Sequence, residues 1–233
     1  MIVTAFSIRE FIMAHSLHLI RFALIFFGAI VVLRAADKPV RLRVALVFDD
    51  GPVVEQNTQF LALLAREKVR VTFSHVGRNV VAHPELSRAV AEAGHEIINH
   101  SYTHPHFKEL DDATIQREVR ETQEAIRGAT GRAPRWFWTP FGDWDDRIAA
   151  AVRAAGLEHY PVQKFHFIDT KDWDTVTDAA TLRKRATTDI KDGTVILCHE
   201  WPKQTLAELP AILEELKRQG VTFVTFSELA AGA

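Results

Sequence analysis

The sequence predicts an α/β fold built on a mostly parallel sheet or barrel, and three observations predict it. Short apolar, valine-rich runs alternate with segments of helical periodicity along the 233-residue chain. Glycines close several of the helical segments. Carboxylates and imidazoles fall directly after the strand-like runs, where parallel β/α folds gather their functional groups.

In order, Arg41–Phe48 is rich in valine and leucine and reads as a buried strand. Phe60, Leu61, Leu63 and Leu64 share one face of a helical stretch. Val71–Val76 is a second strand, Pro84–Ala93 a helix closed by Gly94, and His95–Asn99 a third strand. A longer helix over Asp112–Arg127 carries Ile115, Val119 and Ile126 at helical spacing, with Asp111 as N-cap and Gly128 past its end. Trp136–Trp138 is a short aromatic strand, Asp145–Ala155 a helix closed by Gly156, and Glu158–Val162 another strand. Phe165–Ile168 leads into a loop carrying Asp169 and Asp172. Thr194–Cys198 and Val221–Val224 are strands, and between them Leu209–Arg218 is a helix with Pro210 in its first turn. No internal repeat, low-complexity tract or linker divides the chain.

Composition bounds the function. With 25% charged and 47% hydrophobic residues the chain has the make-up of one globular domain with a sizeable core. A net charge of −2 gives no basic surface for nucleic acid. The single cysteine, Cys198, excludes an internal disulfide framework and a multi-cysteine zinc site. Residues 1–36 read as a secretory signal: Arg9 and Arg21 precede an apolar run, Phe22–Leu33, and the small residues Ala35 and Ala36 follow. That run of 12 residues is shorter than the roughly 20 a membrane-spanning helix needs. An uncleaved N-terminal anchor is the alternative, and Met13 is an alternative start. The expected organisation is therefore a signal peptide or anchor over 1–36 and one exported domain over 37–233, periplasmic or extracellular, with no stable membrane span in the mature form.

Four polar groups follow the strand-like runs. Asp49-Asp50-Gly51-Pro52 follows the first, His100-Ser101-Tyr102-Thr103-His104 the third, Asp169 and Asp172-Trp173 the run ending at Ile168, and His199 the one ending at Cys198. Residues four apart share a face of a helical turn, so both imidazoles of His100 and His104 can reach one metal ion. With one carboxylate they form a set that suits zinc, and also cobalt, nickel, manganese or iron. Each motif alone has a plainer reading: solvated histidines for the first, a turn for Asp-Gly-Pro. Together they permit a division of labour, in which one aspartate binds the ion and its neighbour takes a proton from water.

These residues carry a resemblance. Val47-Phe48-Asp49-Asp50-Gly51-Pro52 resembles the TFDDGP signature of the polysaccharide deacetylases, the carbohydrate esterase family 4 group with its NodB-like domain. His100–His104 is similar to that family's HSxxH motif, Asp169–Trp173 to its DxxDW motif, and Leu197-Cys198-His199 to its late LxH motif. The resemblance spans about residues 42–229. It implies a distorted, seven-stranded TIM-like (β/α) barrel that removes acetyl groups from an N-acetylated or O-acetylated polysaccharide or oligosaccharide, acting as a monomer. It implies one divalent metal, zinc first, held by Asp50, His100 and His104. Asp49 would be the general base toward the water activated there, His199 the general acid, and Asp169 the residue that orients His199 and raises its pKa. Pro140, Phe141, Trp173 and Leu197 would bind substrate: Leu197 and Trp173 line the acetyl pocket, and the Phe141 amide stabilises the oxyanion. Ser101 would hold the histidine loop by a hydrogen bond.

One motif departs from the family. In Phe137-Trp138-Thr139-Pro140-Phe141-Gly142, Trp138 stands where the family has an arginine that pairs with the base. Tryptophan offers a neutral N–H and no charge, so Asp49 is expected to hold its proton more tightly, with Arg132 and Arg135 as candidates to compensate. Two alternatives accompany the main reading. One is a C–N hydrolase of small cyclic amides resembling the allantoinase-like relatives. The other is a catalytically inactive carbohydrate-binding homologue, favoured by Trp138 alone. Of the remaining aromatics, Trp201 is the best candidate for stacking on a sugar.

Overall fold

The computed structural model describes residues 41–159 and 164–232. The expected signal or anchor over 1–36 lies outside the described residues, as does the end of the strand expected over Glu158–Val162. The chain runs β1 (Leu42–Gly51), α1 (Asn57–Glu67), β2 (Thr72–His75), α2 (Gly77–Ala82), α3 (Pro84–Glu92) and β3 (Glu96–Asn99). It continues with α4 (Asp112–Thr130), β4 (Trp136–Phe137), α5 (Asp146–Ala154) and β5 (Glu158–His159). Then come β6 (His166–Asp169), α6 (Ala179–Thr187), β7 (Thr194–His199), α7 (Lys203–Arg218), β8 (Val221–Phe223) and α8 (Phe226–Ala231).

Seven strands pair in the order β5-β4-β3-β2-β1-β7-β6, and β8 pairs with the start of β1. Every pairing is parallel. The result is the curled half-barrel with helices that the sequence predicts. β1 is its axis: Val44–Asp49 are buried without a break, as expected of a parallel strand covered on both faces.

Two apolar layers sandwich that strand. Outside, Phe48, Phe60 and Phe73 pack ring against ring, with Phe48 and Phe60 edge-on at 5.0 Å, and α7 adds Leu209, Ile212, Leu213 and Leu216. Inside, Ala45, Val47, Ile98, Trp136, Val195 and Leu197 fill the barrel together with Phe226 of α8.

Element ends differ from expectation for local reasons. α4 runs through Gly128 and stops at Gly131, whose φ of 74° suits a left-handed cap. Buried Ala129 and the Thr130 hydroxyl, bonded to the Ile126 carbonyl, carry the extra turn. The side of Gly128 is open, so it costs only helix propensity, about 1 kcal/mol. α7 starts at Lys203, so Pro210 lies inside it rather than in its first turn. α2, α6 and α8 were not legible as helices. α6 buries only Leu182 and Ala186, and α8 is a short helix started by a Thr225–Glu228 capping box.

Phe60 is fully buried against Phe48 and Phe73. Phe60→Ala is expected to cost about 3–5 kcal/mol of unfolding free energy, measured by urea titration, without changing the urea dependence of that free energy.

Candidate active site

Side chains alternate between the two faces of a strand. Along β1, Val44, Leu46 and Phe48 face the outer layer and Ala45 and Val47 the inner, so Asp49 is the next inward position. The same parity carries Leu197 to His199, Ile98 to His100, Trp136 to Trp138 and Phe167 to Asp169. These five ends, with Asp50 and His104, line a cavity of about 600 Å³ at the C-terminal edge of the sheet. A cavity of about 680 Å³ beside Trp144 and Lys164 contains none of these groups.

Asp50, His100 and His104 bring one ligand atom each within 4.8 Å of one another. Asp50 Oδ1 lies 3.1 Å from His104 Nε2 and 3.3 Å from His100 Nε2, yet no well-formed hydrogen bond reaches it among the described residues. His100 Nδ1 sits 2.8 Å from the Trp138 carbonyl. A carbonyl only accepts, so Nδ1 carries the proton and Nε2 keeps its lone pair for the cluster. Burial pushes the Asp50 carboxyl up, but the two facing imidazoles outweigh it and hold the group well below the usual carboxylate range. Three lone pairs converging without satisfying one another suit a shared cation, for which protons would compete.

The histidine loop is not the helical turn that the four-residue spacing suggested. Ser101 and His104 both adopt left-handed backbone, with φ of 65° and 62°. Ser101 Oγ accepts the His104 amide at 3.1 Å, as expected of it. Glu118, buried on α4, accepts the amides of Tyr102 and Thr103 and the Thr103 hydroxyl, at 2.7–2.8 Å. Nothing in the local motif marks Glu118. Asp50, Phe141 and Lys171 are also left-handed, so five of the seven such non-glycine residues described surround the cavity. Each costs on the order of 1–2 kcal/mol, and such strain concentrates where geometry is fixed for function.

The Asp49–Pro52 turn is held from below. Glu200 donates its amide to the Asp49 carbonyl, and its Oε1 accepts Val53 N–H and Asn57 Nδ2, both at 3.2 Å. Its Oε2 faces His75 Nε2 at 4.0 Å, and both side chains are fully buried. Burial lifts the Glu200 carboxyl to about 7 and lowers His75 to about 3, so His75 is neutral at pH 7. His75 supports the turn and does not line the cavity.

His199 and its partner give the clearest correction. Asp172, not Asp169, pairs with His199: its Oδ1 lies 2.8 Å from His199 Nδ1 and its Oδ2 accepts the His199 amide at 2.8 Å. Thr205 donates to the same Oδ2 at 2.6 Å, and the Asp172 side chain is fully buried. Asp169 ends β6 at the cavity wall, and its Oδ1 accepts the Lys171 amide. Three residues farther on, the chain has turned under His199, a consequence of the left-handed Lys171 that spacing alone does not reveal. Burial lowers the His199 pKa, but the Asp172 hydrogen bond and the charges of Asp49, Asp172 and Asp50 prevail and lift it to about 9.

Asp49 is 2% exposed and its Oδ1 has no hydrogen-bond partner among the described residues. Burial raises its pKa, opposed by the charges of His100 and His199. Neither arginine compensates for Trp138: Arg135 is tied to Glu158 at 2.7 Å and lies over Trp136, and Arg132 is exposed after α4. Leu197 forms the apolar floor of the cavity, while Phe141 and Trp173 stand exposed at its rim. Pro140 is buried in the turn that presents Phe141 and does not line the cavity, which corrects its expected place. Trp136 is core, bonded to Ser227, and Trp201 lines the cavity beside Asp50.

The family model described as polysaccharide deacetylase matches residues 36–160. A peptidoglycan-N-acetylglucosamine deacetylase of Listeria monocytogenes is 33% identical over 187 residues, 80% of this chain but only 38% of the relative's length. A chitooligosaccharide deacetylase of Rhizobium leguminosarum is 33% identical over 195 residues, covering 75% of this chain and 86% of that one. Among solved structures, a family 4 carbohydrate esterase of Streptomyces lividans in complex with acetate superposes with a TM-score of 0.72 at 32% identity, covering 78% and 91% of the two chains. A Bacillus anthracis family member described as a pseudoenzyme superposes with a TM-score of 0.74 at 27% identity, covering 82% and 66%. Among the described residues, no helix is long and apolar enough to cross a membrane.

The tightest steric constraint in the site lies at Gly51. A Cβ there would collide with Glu200 Oε2 and touch the His75 ring. Gly51→Ala is therefore expected to displace the Asp49–Asp50 turn, lowering the melting temperature and weakening zinc binding together, measured by calorimetry on metal-free and zinc-titrated protein.

Proposed function

The chain belongs to the polysaccharide deacetylase family, and on that footing we propose that it hydrolyses acetyl groups from an acetylated carbohydrate. One observation carries the reading: a two-histidine, one-aspartate cluster, an open buried carboxylate and a buttressed imidazole share one cavity. The N-acetyl amide of glucosamine is the first substrate class to test, because the Listeria relative is named for it. Residues 1–36 export the domain or anchor it outside the cytoplasm, and residues 37–233 act as a monomer on the polymer.

In this reading Asp50, His100 and His104 hold one divalent ion, zinc in the first place, with cobalt, nickel, manganese or iron also suited to the donor set. When bound, the ion supplies Lewis-acid polarisation of the acetyl carbonyl and acidifies water. Asp49, with one oxygen open, takes a proton from the attacking water as its oxygen bonds to the carbonyl carbon. The Phe141 amide stabilises the charge that develops on the carbonyl oxygen. As the carbon–nitrogen or ester carbon–oxygen bond breaks, His199 gives its proton to the departing amine or alcohol, and acetate leaves. Asp172 takes the orienting role, and Asp169 lines the wall. Leu197 and Trp173 accommodate the methyl group.

A second reading is an inactive carbohydrate-binding homologue, favoured by Trp138 and by the likeness to the pseudoenzyme. Acetate release from acetylated glucosamine oligomers, peptidoglycan and acetylated xylan separates the two. The deacetylase reading expects release that a chelator stops and zinc restores, lowered at least about 10²-fold in Asp49→Asn and His199→Ala. Zinc binding without release from any substrate would instead support the second.

The acid role has a pH signature. A group that must be protonated fails as pH rises through its pKa, so wild-type kcat is expected to decline near pH 9. Asp172→Asn removes the strongest influence raising that pKa, and the decline moves toward the ordinary imidazole range, about 6.5. An unmoved alkaline limb in Asp172→Asn would count against His199 as the acid.

A further inference from the structure

We propose that Trp201 is a positioning residue for the cation site, its indole N–H fixing the plane of the Asp50 carboxylate so that a single oxygen faces the two histidines. This rests on the reading that Asp50, His100 and His104 hold a divalent ion. The two oxygens of Asp50 have different surroundings. Oδ1 points at the imidazoles. Oδ2 accepts the Trp201 Nε1 hydrogen at 3.0 Å.

Something must fix the angle of that carboxylate. The terminal torsion of a carboxylate is broad and nearly two-fold, and Asp50 sits in a left-handed residue where the β1–β2 register breaks. An indole N–H suits the task because it donates and never accepts. It cannot become a ligand itself, and being neutral it leaves the charge of Asp50 available to the ion. With Oδ2 tied, the carboxylate offers one oxygen instead of chelating through both.

Trp201 is itself held. Its carbonyl accepts Gln56 Nε2, and the preceding residue, Glu200, is bonded to the Asp49 carbonyl. The end of β7 and the bend after it thus serve three purposes in consecutive residues: His199 in the cavity, Glu200 beneath the Asp49–Pro52 turn, and Trp201 on Asp50. The ring is 45% exposed at the cavity mouth. A substitution there leaves the core intact.

The test uses the full chain with Trp201→Phe, which keeps the apolar ring and removes the donor, and Trp201→Ala, which removes both. Zinc affinity is measured by competition with a chromophoric chelator, cobalt coordination by visible absorption, and folding by the melting temperature of metal-free protein. Both variants are expected to melt near wild type without metal and to bind zinc about 10-fold or more weakly. Both should also give a weaker cobalt spectrum as Asp50 becomes bidentate. Wild-type zinc affinity and cobalt spectrum in Trp201→Phe would overturn the proposal, whether or not Trp201→Ala is impaired. A wild-type protein that binds neither metal would remove the cation reading itself, and the role of Trp201 with it.

Discussion

Everything at this site depends on the pleat of strands buried on both faces. In a parallel sheet covered by helices outside and curled around an apolar layer inside, each strand must be apolar on both rows. Only the last inward residue of a strand reaches the open end. Asp49, His100, Trp138, Asp169 and His199 are those residues on five strands, each two positions past an apolar inward neighbour. A one-residue slip in any strand would put the polar group into the outer core and an apolar one into the cavity.

Crowding charges into that end has a cost, and the way it is met distinguishes the carboxylates. Asp172 accepts three hydrogen bonds and Glu118 also accepts three, so both are saturated and serve to hold something else. Asp49, Asp50 and Glu200 each keep an oxygen without a partner among the described residues, and of these only Asp49 and Asp50 line the cavity. A buried acceptor left open is expensive, by about 1–3 kcal/mol. In a native fold such a group points to a ligand or a reaction step rather than to stability. The left-handed residues around the cavity carry the same message in backbone form: the surrounding bonds enforce conformations the residues would not choose.

The succession of strands and helices and the strand ends that carry polar groups were legible because short apolar runs alternate with helical segments between turns, and the distorted barrel followed from the family resemblance. The partner of His199 was not, since Asp169 and Asp172 lie in one loop and only the left-handed Lys171 decides which carboxylate turns under the imidazole. Glu118 and Glu200 were equally hidden. Each acts on backbone amides far away in sequence, and a glutamate on an amphipathic helix or after a strand carries no mark of such a role. The histidine pair was read correctly as a pair and wrongly as a helical turn, because spacing fixes neighbourhood but not backbone conformation. Gly128 misled for a related reason: a glycine can end a helix, but burial of Ala129 beyond it extends this one.

Trp138 shows how far a departure from the family can go without dismantling the cluster. Its side chain stands where a charged partner of Asp49 is expected, and among the described residues no arginine acts on Asp49 in its place. Its backbone carbonyl, however, fixes the tautomer and orientation of His100, and any residue at 138 supplies that carbonyl. The Asp50–His100–His104 cluster is therefore insulated from the identity of this side chain, while the electrostatics of Asp49 are not. Burial and the neighbouring Asp50 charge raise the Asp49 pKa, and the charges of His100 and His199, with Ser74, oppose them. A carboxylate held that way depends on the protonation of His199, and His199 in turn on the charge of Asp49, so the proposed base and the proposed acid titrate as a coupled pair.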